Sequence, residues 1–164
     1  MIRMLVFLMF ALAPVSIHSQ GKNIAAPAES APANEQRKWL LKTVGKYASY
    51  KTRTISVSIT APKLESCVLS FVQTKKVGST SQDTMGVTTR TNAIKDNVAI
   101  DLAKLDLNSL KISDHIYQEL ATLTFRIRRG EAASESVELV VQQPAADAIK
   151  TVLERVAHAC TPVH

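Results

Sequence analysis

An α+β fold with its helices at the two ends of the chain is predicted by three observations. Two stretches, Ile55 to Thr60 and Thr122 to Arg128, alternate apolar and polar residues as half-buried strands do. A third, from Ile149 to Cys160, repeats apolar residues at helical spacing. Between the first helical pattern and this last one, strand-like segments follow each other with no helix interposed, which argues against a parallel βαβ arrangement.

The N-terminus carries Arg3, then the apolar run MLVFLMFALAPVS, then small residues at Ser16 and Ser19. That order is the pattern of a secretory signal peptide over residues 1–19, with cleavage leaving Gln20 first. The apolar stretch is interrupted by Pro14 and falls short of the about 20 residues that a spanning helix needs. Residues 20–34, QGKNIAAPAESAPAN, hold Ile24 as their only large apolar side chain, so a disordered leader is expected there. A single domain then runs over 35–161, with 162–164 as a tail.

Within the domain, Asn34 is a candidate cap for a helix in which Leu40, Val44 and Tyr47 share a face, broadened by Trp39 and Leu41. Ile55, Val57 and Ile59 form the inward side of the first strand, which Ala61 and Pro62 end. A second strand from Ser66 to Thr74 points Cys67, Leu69 and Phe71 inward. By composition KKVGSTSQD is a hairpin loop, leading to a strand at Thr84 to Thr91 with Met85 and Val87. Lys95, Asp96 and Asn97 mark a turn. Val98, Ile100 and Leu102 make a further strand, followed by a break at Leu105 to Asn108 and a short strand with Leu110 and Ile112. After a turn at Asp114 and His115, Leu123, Phe125 and Ile127 face inward while Thr122, Thr124, Arg126 and Arg128 face outward. Val137, Leu139 and Val141 belong to the last strand. The closing helix begins at Pro144, whose missing N–H suits a first helical position, and carries Asp147 near its positive end. Thr161 and Pro162 stop it. The total is six or seven antiparallel strands between two helices.

Export brings the chain into an oxidising compartment, where its two cysteines permit one bridge, Cys67 to Cys160. Both residues fall on inward faces, one of a strand and one of the closing helix, so the bond would pin that helix to the sheet. The Cys-x-x-Cys spacing of redox-active thiols is absent.

The order of strands closed by an amphipathic helix resembles the pleckstrin-homology-like fold, in a roll or sandwich of strands. More narrowly, WLLKTVGKY, SCVLSF, IDLAKLDLNSLKI and IKTVLERVAHAC resemble a loose group of exported bacterial domains with a strand cysteine, an LxxLD connection and a helix ending in cysteine. The resemblance spans Trp39 to Cys160 and implies fold rather than activity. Two features depart from pleckstrin-homology domains: the only tryptophan is Trp39, outside the closing helix, and no lysine-rich first loop is present.

His115, His158 and His164 form no zinc-binding pattern, and there is neither a nucleophile elbow nor a phosphate loop, so no cofactor, metal or catalytic residue is expected. Asp101 and Asp106 are explained by strand end and turn. What remains is charge: a formal net charge of +6, with clusters at Lys42, Lys46, Lys51 and Arg53, at Lys75 and Lys76, and at Arg126, Arg128 and Arg129. Arg53, Arg126 and Arg128 are the candidate anion-binding set, if the outer strand faces meet. Few aromatics are left over for stacking on bases, and export removes the chain from the cytoplasm, so nucleic acid is not expected as a partner. The expected function is a secreted or periplasmic, non-enzymatic binding or accessory domain that engages an anionic macromolecule. The alternative is a carrier of a lipid or other small apolar ligand, with a cavity between sheet and helix.

Overall fold

The computed structural model describes residues 24–83, 86–130 and 133–161. The expected signal peptide, the tail 162–164, Met85 and His164 lie outside the described residues. The elements are α1 (Ala33–Tyr47), β1 (Tyr50–Lys51), β2 (Ile55–Glu65), β3 (Val68–Asp83), β4 (Gly86–Asp101), β5 (Leu105–Asp114), β6 (Leu120–Arg128), β7 (Ser134–Gln142) and α2 (Ala146–Cys160). They form two antiparallel sheets, ordered β1-β2-β3-β4 and β5-β6-β7. A 3-10 turn at Leu102–Lys104 carries the chain from one sheet to the other. The α+β class, the antiparallel pairing and the two terminal helices are therefore as the sequence predicts, with seven strands among the described residues.

The clearest sequence patterns mark the core. In β6, Leu123 and Phe125 are fully buried and Ile127 nearly so, while Arg126 and Arg128 are exposed. In α2, Ile149, Val152, Leu153 and Val156 are buried in one stripe. These side chains join Leu40 and Val44 of α1, Leu69 and Phe71 of β3 and Ile100 of β4 in a single apolar cluster. The helix begins at Ala146 rather than Pro144, which sits in a 3-10 turn just ahead.

The other end of the chain differs from expectation. α1 starts after Pro32, and Asn34 makes no capping bond. Most of the supposed disordered leader, from Ile24 onward, runs against the domain. Ile24 N donates to Pro144 O at 3.0 Å, Arg155 Nη1 donates to Pro27 O at 2.8 Å, and Ile24 and Ala26 pack against the core. The buried Gln36 donates from Nε2 to Ala31 O at 2.9 Å and folds this segment back over the helix start. The composition of the segment measures only side-chain burial. Here the backbone groups find partners on both helices, which offsets part of the ordering cost.

Pro62 does not end β2. The ladder with β3 slips between Thr60 and Lys63, with Ala61 at φ +50°, and then resumes to Glu65. This is a bulge, and it places the proline, which has no N–H to donate, where the ladder is already interrupted. Gly45 of α1 lies against the same spot: a Cβ there would stand 3.3 Å from Pro62 Cγ, so the glycine permits the close approach of helix to strand. At the end of β2, Glu65 pairs with Val68 across a two-residue turn. Ser66 and Cys67 occupy it with φ of +46° and +66°, the signs of a type I′ turn. Cys67 is thus a turn residue, not an inward-facing strand residue.

The largest correction concerns residues 75–97. The expected hairpin loop at KKVGSTSQD and the expected turn at Lys95 to Asn97 are both strand. β3 and β4 pair without a register shift from Val68 opposite Asp101 to Asp83 opposite Gly86. Threonine, serine and valine suit a pleated ladder even where neither side is buried, so the segment has strand backbone without strand periodicity. The expected break at Leu105 to Asn108 survives as a slip in the β5–β6 ladder between Asp106 and Lys111. Ser109 Oγ stabilises it, donating to Asp106 O at 2.6 Å and accepting from Arg126 N at 2.8 Å.

The two sheets are joined near the end of α1. Ser49 Oγ accepts from Ile59 N at 2.9 Å, and Gln142 Nε2 of β7 donates to Ser49 O at 2.9 Å. Beside this seam the phenol of Tyr50 has its pKa raised, first by burial and then by the nearby Tyr117. A raised folded-state value means that folding favours the protonated phenol. Its stabilising effect is complete below the ordinary phenol value of 10.0 and is lost as pH rises through the folded one. Thermal melts at increasing alkaline pH should show a fall in stability that Tyr50→Phe reduces, and an unchanged fall in that variant would remove Tyr50 as the cause.

Candidate anion-binding cleft

β6 holds Arg126 and Arg128 on one exposed face because its alternation buries Phe125 and Ile127 on the other. Arg126 stands opposite Asp106 of β5 and Ser136 of β7, and Arg128 opposite Ser134 of β7. Arg53 does not join them. It is exposed in the bend between β1 and β2, and the neighbouring Thr54 O accepts from Gly78 N at 2.8 Å. Gly78 is ten positions along β3 from Val68, whose partner is Asp101. At about 3.3 Å per residue, Arg53 is roughly 30 Å along the strand from the end where Arg128 lies. The three arginines therefore do not make one patch.

What the fold assembles instead is an open cleft of about 320 Å³ where the end of the first sheet meets the second, lined by Ala99, Asp101, Lys104, Ile127, Arg128 and Arg129. Each wall has a local cause. The 3-10 turn after β4 turns Lys104 back toward Asp101, whose carboxylate accepts from Ala103 N at 3.2 Å and pairs with Lys104 Nζ at 3.0 Å. Arg129, just past β6, is paired with Glu135 of β7. Arg128 has no carboxylate within ion-pair distance among the described residues. Ala99 and Ile127 provide the apolar part of the lining.

Among the described residues, three cations thus stand beside two carboxylates here, and Arg128 is the one without an ion-pair partner. An acidic ligand would find one unpaired guanidinium and two neighbours able to exchange partners, at a site open enough to be screened by salt. Arg129 was visible in sequence beside Arg128, but Lys104 was not singled out. It lies in a turn on the other side of the sheet junction, and no local pattern ties it to β6.

The remaining candidates take structural places. Asp106 accepts from Asn108 N at 3.2 Å inside the β5 irregularity, and it does not join Asp101 in a pair. His115 Nδ1 accepts from Tyr117 N at 3.2 Å and its ring stacks on Tyr117. His158 is exposed in the last turn of α2. Cys67 and Cys160 form a disulfide, their Cα atoms 5.7 Å apart, which fastens the β2–β3 turn to the end of α2. Among the described residues no cluster of His, Cys, Asp and Glu is arranged for a metal ion, and no helix is long and apolar enough to cross a membrane. No protein-family model, curated protein or solved structure matches the chain.

Proposed function

We propose that this is an exported, non-enzymatic binding domain, similar in strand order to pleckstrin-homology-like domains, that receives an acidic group of a macromolecular partner in the cleft at the sheet junction. The cleft carries the reading: Lys104 from the turn after β4 and Arg128 and Arg129 from the end of β6 converge there around an apolar floor. The disulfide favours a secreted or periplasmic setting, since such bonds persist in oxidising compartments. The alternative, an apolar-ligand carrier, calls for a cavity between sheets and helices. That space holds Leu40, Val44, Leu69, Phe125, Ile149 and Leu153, none more than 2 % exposed.

The test uses hexaglutamate as the acidic probe, followed by amide chemical shifts at low ionic strength. Shifts should concentrate at Ala99 to Lys104 and Ile127 to Arg129, weaken as salt is added, and require about 5-fold more peptide in Arg128→Ala, as for the loss of about 1 kcal/mol at an exposed charge. Shifts centred on Arg53 instead, or affinity unchanged in Arg128→Ala, would remove the cleft as the site.

A further inference from the structure

The outer edge of β4 is open among the described residues, and it carries an exposed isoleucine. Leu102 N donates to Cys67 O at 2.9 Å, and the β3–β4 ladder then runs without a slip to Asp83 opposite Gly86. Antiparallel residues alternate between groups turned to the neighbour and groups turned away. The even-numbered residues of β4 therefore bond to β3, and the odd-numbered ones direct N–H and C=O at the free edge. Residues 91–97 are all exposed, and among the described residues no strand lies beyond β4 in the sheet order. Within that stretch Ile94 is the large apolar residue, 54 % exposed.

Natural sheets seldom leave a long, regular edge open; they shorten it, bulge it or cover it. Two of the other edges follow that rule, since β1 is two residues long and the β5 ladder slips at Asp106, while β7 is a regular edge of nine residues, shorter than β4. β4 has sixteen residues, no proline and no bulge.

We propose that β4 pairs with β4 of a second copy of this chain, antiparallel about a two-fold axis through Ile94. In that register the odd residues meet as hydrogen-bonded pairs, Ala93 with Lys95 of the second copy and Thr91 with Asn97, each pair exchanging two backbone bonds. Ile94 meets its own copy at a non-hydrogen-bonded pair, where Cα atoms approach to about 4.5 Å and side chains are closest. The largest apolar side chain exposed on the strand is thereby covered by itself, with Val77, 36 % exposed, in the adjacent row on the same face. Shifting the axis to Lys95 sets two lysines against each other, a repulsive pair. Centring on Ile94 sets Lys95 against Ala93 and Asp96 against Asn92, so no like charges face one another. The contact is isologous and closes at two copies.

Sedimentation equilibrium of the chain beginning at Gln20, combined with amide hydrogen exchange, tests this. The expected result is a concentration-dependent dimer in which the Ala93, Lys95 and Asn97 amides gain protection on association, while even-numbered amides are protected throughout. Ile94→Lys puts two cations on the axis and should weaken the dimer at least 10-fold; the position is exposed in the monomer, so its melting temperature should not change. Ile94→Cys should cross-link to itself on oxidation, because the spacing falls in the disulfide range, whereas Asn97→Cys should not. A monomer at millimolar concentration, a dimer indifferent to Ile94→Lys, or odd-numbered amides that stay unprotected in the dimer would overturn the proposal. So would an edge found to take an extended strand of a different protein in preference to its own copy.

Discussion

Replacing Cys67 and Cys160 together with alanine should lower the free energy of unfolding by about 4 to 5 kcal/mol, the value expected when a bond closing a loop of this length is lost. The separation of 93 residues means that the bond restricts most of the unfolded chain. A domain of this size has a total stability of about 5 to 15 kcal/mol, so the variant should be left marginal. The melting temperature should fall by roughly 15 °C, at about 3 to 4 °C per kcal/mol. The check is paired thermal melts of the oxidised wild type and the double variant. Melting temperatures within about 2 °C of each other would mean that the bond does not restrain the unfolded chain.

Phe125→Ala should cost about 3 to 5 kcal/mol, by the loss of a large buried side chain together with the cavity it leaves. Phe125 is fully buried in the central strand of the second sheet, where neighbouring strands on both sides limit collapse into the gap. Arg126→Ala, one residue on and exposed, should change stability by no more than about 0.5 kcal/mol. Urea unfolding of both variants distinguishes the outcomes, with a common slope expected for each. Equal effects at the two positions would contradict the inward assignment of β6.

That assignment was legible because Leu123, Phe125 and Ile127 alternate with polar residues over a fully paired strand, and one face of water against one face of core is what writes a period of two. The stripe of α2 was legible for the same reason at period 3.6. Where no such contrast exists, the sequence is silent. Residues 75–79 form strand with no buried side chain to mark it, so the serines, threonines and glycine of KKVGSTSQD look like those of a loop. Pro62 does not end its strand as expected because a proline stops a ladder only where its N–H is needed, and the bulge at Ala61 removes that need. Cys67 bonds to the expected partner from an unexpected setting, since a type I′ turn is usually announced by asparagine or glycine and here is held by serine and cysteine. Of the cleft, Arg128 was visible from its strand. Lys104 and the separation of Arg53 depend on how the two sheets meet, which no local period records.

The disulfide also decides which parts of the molecule can bear load. It ties the turn ahead of β3 to the last turn of α2, so tension applied between the chain ends passes across the sulfur atoms. Everything from β3 to the end of α2 lies inside that covalent ring and is mechanically bypassed. Stretching can peel α1 and β2 away from their neighbours but cannot draw out the ring. A single backbone cut within the ring likewise leaves one connected molecule, whose fragments separate only after reduction.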